Sequence, residues 1–200
     1  MSSSDLVRWG GWAAVVAGAL LVVGELMYLV TGLEQSAAAY SSAPAFVQNV
    51  LFLMAGVLLV GGLISLYVGR LSSTLGIVAF VVAFVGTVLV AGSLWDSAFT
   101  VTALAGTAPE LYEAGPPGLV LFGLVLSFVL FSLGWLLLGI VMLGTRTYPR
   151  AANILLMVGA ILAFFPFPFS FIPFGATVSW MGLSLLSGRS AGTERPVRVN

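Results

Sequence analysis

Long apolar runs separated by short polar stretches constrain this chain more than any other feature. They cover residues 9–33, 45–69, 75–95 and 119–143, and a last one extends over 151–187. A helix that crosses the ~30 Å hydrocarbon core of a bilayer needs about 20 mostly apolar residues. Each of the first four runs is long enough for one crossing. Only 7% of the residues are charged, against about 25% in a soluble domain. A water-exposed surface so poor in charge would carry large apolar patches. The expected fold class is therefore all-α, a polytopic bundle of transmembrane helices.

The last run holds no charge and is too long for one helix. Pro166, Pro168 and Pro173 interrupt its Phe-rich centre. Proline removes a backbone donor and clashes with the preceding turn. This predicts a fifth helix over 151–167 and a sixth over 172–187, joined by a tight hairpin. The alternative is one kinked helix followed by a re-entrant segment. At the other end, Arg8 before an apolar run, with alanines at 37–39, has the outline of a signal peptide. The run is longer than the about 7–15 residues of a signal h-region, which predicts a retained membrane helix.

Charge distribution sets an orientation for six helices. With the N-terminus in the cytoplasm, Arg8, Arg70, Arg146, Arg150, Arg189, Arg195 and Arg198 all fall on the cytoplasmic side. The opposite loops hold Glu34, Asp96, Glu110 and Glu113 and no basic residue. Arginine enrichment near short cytoplasmic loops is the strongest orientation signal a membrane sequence carries. Both termini are expected in the cytoplasm, with 1–188 as the membrane domain and 189–200 as a polar, disordered tail. Trp9, Trp12, Trp95, Tyr67 and Tyr148 fall near the expected interfaces, as aromatic belts do. The turns at Gly69-Arg70 and at 144–146 occupy like positions in two helical hairpins, a pattern compatible with an internal duplication or with two independent turns.

The chain contains no cysteine and no histidine, and all its basic residues are arginine. This excludes disulfides, thiol catalysis and cysteine–metal sites, and it removes the commonest metal ligand and general base. Without lysine no Schiff base can form. No phosphate-binding loop, dinucleotide fingerprint or metal-ligand cluster is present, and no basic surface suits nucleic acid. Neither a cofactor nor an enzymatic activity is expected. Arginine in place of lysine, beside abundant Ala, Gly and Val, is the residue usage of a GC-rich bacterial genome and points to a bacterial inner membrane.

Small residues recur at helical spacing. Gly11, Ala14, Gly18, Val22 and Glu25 share one face of the first helix. Further stripes run through Gln48, Ala55 and Gly62, with Asn49 and Gly56 beside them, through Ala79, Ala83 and Gly86, through Gly123, Ser127, Gly134 and Gly139, and through Gly175, Ser179 and Gly182. They read as seams where helices approach closely. Glu25 resists so simple an account. It lies eight residues before the outer end of its run, ~12 Å deep at 1.5 Å per residue. Acids at such depth are rare, costly and commonly functional. Glu25 is thus a candidate proton or cation site, or else a buried acid hydrogen-bonded to a Ser, Thr or Asn of another helix. Asp96, Trp95, Gln48 and Asn49 fall near the same outer end and are candidates to join it in one outward-facing pocket, with Thr87 and Ser127 at a similar depth.

The RWGGW opening at 8–12, the Gly-Glu-Leu at 24–26 and the LYVGR at 66–70 resemble small six-helix integral membrane proteins of high-GC bacteria. That resemblance covers the helix layout and implies a bacterial inner membrane, with no activity attached. A single acid in the first helix is also similar to small multidrug efflux proteins, but those have four helices and other residues around the acid, so the likeness is an analogy. Two functions fit: a small carrier or ligand-binding protein using the intramembrane carboxylate, or a noncatalytic subunit or scaffold of a membrane complex. The expected partners are membrane lipids and a second copy or another membrane subunit.

Overall fold

The computed structural model describes residues 3–34, 36–67, 73–145, 148–165 and 167–187. Among these there is no strand. The helices are α1 (Ser3–Leu26), α2 (Tyr28–Thr31), α3 (Ala37–Tyr40), α4 (Ala43–Tyr67), α5 (Thr74–Asp96), α6 (Thr102–Thr107), α7 (Pro109–Glu113), α8 (Gly118–Thr145), α9 (Arg150–Leu162) and α10 (Ile172–Leu186). Four helical stretches are long and apolar enough to cross a membrane: Asp5–Thr31, Ala43–Leu66, Thr74–Thr107 and Gly118–Thr145. The protein is a multi-pass membrane protein. The 9–33 run forms α1 and α2, and Gly32, at φ +76°, ends them in a conformation open mainly to glycine.

The third span reaches further than the apolar run at 75–95. After Asp96 a π-helical turn, Ser97–Val101, leads directly into α6. The stretch from Ser97 to Ala105 has no glycine or proline to stop it, and Ala98 and Ala105 are buried. The stretch between the apolar runs at 75–95 and 119–143 is therefore largely helical, with α7 beginning at Pro109. In the last run the helices end at Leu162 and restart at Ile172, so α9 has 13 residues and α10 has 15. Arg70, Arg146, Arg189, Arg195 and Arg198 and the 189–200 tail lie outside the described residues.

The six longer helices close a ring. Helix α1 packs on α4 and α10, α4 on α5, α5 on α8, α8 on α9, and α9 on α10. Lipid tails are as apolar as Leu, so helices in a bilayer gain little from apolar burial and associate by close packing. Glycine makes that packing possible here. A Cβ at Gly134 would lie 2.3 Å from Ala83 Cα, and one at Gly86 would lie 2.3 Å from the Phe131 nitrogen. On the opposite seam a Cβ at Gly182 would meet Gly11 O at 2.7 Å, and one at Gly175 would meet Gly18 O at 2.7 Å. Polar side chains add bonds between helices: Ser179 Oγ donates to Val15 O (2.9 Å), Ser65 Oγ to Leu6 O (3.1 Å) and Trp135 Nε1 to Thr87 Oγ1 (3.0 Å). Each such bond stabilises by about 0.6–2 kcal/mol. The centre is filled by Phe131, Trp135, Leu138 and Phe174, all buried. Tyr148 also belongs to this core, only 4% exposed, whereas Trp9, Trp12 and Trp95 face outward.

Candidate functional site

The shortness of α9 and α10 creates a large concavity. The turn at 163–171 meets α8 partway along its length, where Phe171 packs against Phe128 and Phe131 at ring separations of 6.4 and 6.3 Å. The part of α8 before Phe128 continues past the turn without those neighbours. Residues 118–126 are all exposed, and a Cβ at Gly123 would meet nothing within 4 Å. Gly123 therefore does not belong to a packing seam of this chain, unlike Ser127, Gly134 and Gly139. Between the free half of α8, the 163–171 turn and the facing parts of α1, α4 and α5 lies a cavity of about 460 Å³. Small-molecule sites run from about 300 to 1,000 Å³.

The cavity is apolar along most of its walls. Phe52, Phe128, Phe131, Phe164, Phe165, Phe167 and Phe171 line it, with Leu21, Leu59, Val90, Leu94, Leu121, Leu124 and Val125. Thr87 lies against its floor, satisfied by donating to Ala83 O at 2.6 Å and accepting from Trp135. At the end nearest α3, Tyr40, Asn49 and Ser97 converge. The Tyr40 hydroxyl shares hydrogen bonds with the side chains of Ser97 and Asn49. Its ring lies 5.3 Å from that of Tyr112. Burial pushes the Tyr40 phenol above its ordinary value, and the charge of Asp96 adds to this, while the bonds to Ser97 and Asn49 work the other way. Ser97 begins the π-helical turn. Such turns shift the register of side chains and recur at functional sites.

Glu25 forms part of the wall. It is only 2% exposed. Its carboxylate accepts hydrogen bonds from the backbone N–H groups of Phe169 and Phe171. Phe171 is the N-cap of α10, where the first N–H groups of a helix have no partner within it and the helix dipole favours negative charge; Phe169 lies two residues earlier in the turn. Phe169 sits at φ +70°, a left-handed conformation costly for an aromatic residue. An acid on α1 thus holds a strained turn on another hairpin. The partners are backbone amides, not the Ser, Thr or Asn side chain that the sequence suggested.

The other candidates separate. Asn49 faces the cavity. Gln48, its neighbour, turns into the α1–α4 contact, where Nε2 donates to Gly24 O at 3.0 Å and Oε1 accepts from Thr31 Oγ1 at 3.3 Å. Successive residues of a helix point about 100° apart, so only one of the pair can face the cavity. Trp95 is 59% exposed, its ring 4.5 Å from that of Phe99. Asp96 is exposed at the end of α5. Neither lines the cavity, and Ser127 is buried with its hydroxyl donating to Gly123 O at 2.7 Å. Tyr28, Tyr40 and Ser97 line the cavity and were not legible as site residues. The dense Phe residues from 164 to 171 were the available signal, since so many aromatics in a turn need something to pack against.

No protein-family model, curated protein or solved structure matches this chain. The functional reading rests on the geometry of the site.

Proposed function

We propose that this protein is a small ligand-binding protein of the bacterial inner membrane, with no catalytic role, and that the cavity beside α8 is its ligand site. One observation carries the reading. A bundle this short leaves a cavity of about 460 Å³ in place of helix packing, lined by aromatics and with hydrogen-bonding groups gathered at one end. Well-formed apolar pockets with a few convergent polar groups are the default binding sites of proteins. Glu25 serves the site by fixing its wall, since both carboxylate oxygens are engaged by the 163–171 turn. It is a positioning residue in this reading, not a mobile cation site.

The orientation follows from the arginines. With every arginine on the cytoplasmic side, six helices place both termini there. The α3 end of the bundle, and the cavity with it, then faces outward. That arrangement also holds where the α9–α10 hairpin stops short of the far interface, because both of its ends return to the same side.

A second reading, a noncatalytic subunit or a homo-oligomer, draws on the free half of α8, where Gly123 offers close approach to a helix from another chain. Native mass spectrometry of the protein extracted in mild detergent separates the two. A small molecule retained by the native protein and lost from Leu121→Trp, which fills the cavity, supports the binding role. A stable polypeptide complex that Leu121→Trp leaves intact, with no small molecule bound, supports the subunit role and sinks the first.

A further inference from the structure

The ligand's chemistry can be read from the cavity, on the premise that the cavity is a ligand site. We propose that it holds one amphiphile with a single hydrocarbon body and an uncharged head, which enters sideways from the lipid past the free half of α8.

Access comes first. Leu121, Leu124 and Val125 line the cavity and are also 48%, 38% and 47% exposed. A wall that is at once lining and outer surface is a window, and it opens on the face that a bilayer covers. A hydrocarbon chain passing through it exchanges lipid contacts for Phe128, Phe131 and Phe171 without meeting water. An ion or a sugar would have to shed its hydration at an apolar sill, which is strongly unfavourable.

The head is fixed by the polar end. Tyr40, Asn49 and Ser97 supply two hydroxyls and an amide, which donate and accept hydrogen bonds with no net charge. A phenol, with an ordinary pKa of about 10, is protonated at neutral pH, so Tyr40 can donate.

Charge then discriminates among heads. Among the described residues Glu25 is the only charged side chain on the lining, and no arginine lies there. A carboxylate or phosphate head would meet an acid with no cation to receive it. A cationic head gains little from Glu25, because the Phe169 and Phe171 amides already occupy its oxygens. An alcohol, ester or ketone head meets neither objection.

The probes are a long-chain primary alcohol and the fatty acid of equal chain length. Each is titrated at pH 8 into the full-length protein in mild detergent, with occupancy read by native mass spectrometry. The alcohol is expected to bind one to one, and the fatty acid about tenfold more weakly, the scale of a charge repulsion of about 1.4 kcal/mol. Val125→Trp is expected to weaken the alcohol at least tenfold while helicity and the thermal midpoint stay at the native values, because residues 118–126 of α8 are all exposed. Leu121→Trp is the second variant should Val125→Trp fail to fold. Equal binding of the two probes would overturn the uncharged-head assignment and leave the site standing. Native-strength alcohol binding by a folded, window-filled variant would overturn the sideways route. No binding of either probe by the folded protein would overturn both this inference and the binding role beneath it.

Discussion

Replacing Glu25 by alanine tests the relation between the buried acid and the hairpin. The carboxylate accepts two backbone hydrogen bonds, from Phe169 and Phe171. Hydrogen bonds to a charged group each contribute about 1.5–3 kcal/mol, and a buried donor left without an acceptor costs a similar amount. Two such bonds give a loss of about 3–6 kcal/mol for Glu25→Ala. For a chain of this size each kcal/mol lowers the melting midpoint by roughly 2–4 °C, so a fall of at least about 6 °C is expected in detergent. Glu25→Gln keeps one acceptor oxygen and is expected to lose about half as much. Hydrogen exchange locates the effect: the Phe169 and Phe171 amides should lose protection first, ahead of the α5–α8 seam. A Glu25→Ala midpoint within about 2 °C of the native value, with both amides still protected, would show that the acid does not hold the turn.

Two further outcomes follow from the packing and from the buried phenol. Gly134→Leu should destabilise by at least about 1–3 kcal/mol through overpacking, since even a Cβ there meets the α5 backbone, whereas Gly123→Leu should change stability by no more than about 0.5 kcal/mol; equal effects in thermal melts would contradict the arrangement around α8. The folded-state pKa of Tyr40 is raised, chiefly by burial, so its contribution to stability is complete below the ordinary phenol value of about 10 and is lost as pH climbs through the raised value; between pH 9 and 11 the melting midpoint of the native protein should fall more steeply than that of Tyr40→Phe, and parallel curves would refute the burial of that hydroxyl.

Much of the helical layout was legible because lipid imposes a simple rule: a spanning segment must be apolar and must satisfy its own backbone bonds. The packing seams were legible for a related reason. Small residues at spacings of three and four, such as Gly11, Ala14 and Gly18, have a use only where two helices touch. The site was less legible. Glu25 drew attention by its depth, but its partners are main-chain amides, which every residue carries and no sequence pattern singles out. The separation of Gln48 from Asn49 depends on which face of α4 meets α1, a tertiary fact. Asp96 was expected beside Glu25 because both lie near one end of the bundle, yet the π-helical turn carries the chain onward and leaves Asp96 exposed. Gly123 matched a packing stripe in spacing, and only the early stop of α9 and the late start of α10 explain why nothing packs there.

That shortness also bears on the bilayer around the protein. At 1.5 Å per residue α9 and α10 rise about 20 and 22 Å, while α8, with 28 residues, rises about 42 Å. A typical hydrocarbon core measures about 30 Å. The hairpin flank is thus undersized for the membrane while the neighbouring α8 is oversized. Lipids beside the hairpin must compress or tilt toward it, and those beside α8 must stretch or let the helix lean, each at a cost of a fraction of a kcal/mol per Å of mismatch. A molecule built this way presents two different apolar lengths to the bilayer at adjoining faces, and its tilt and its choice of neighbouring lipids follow from that step.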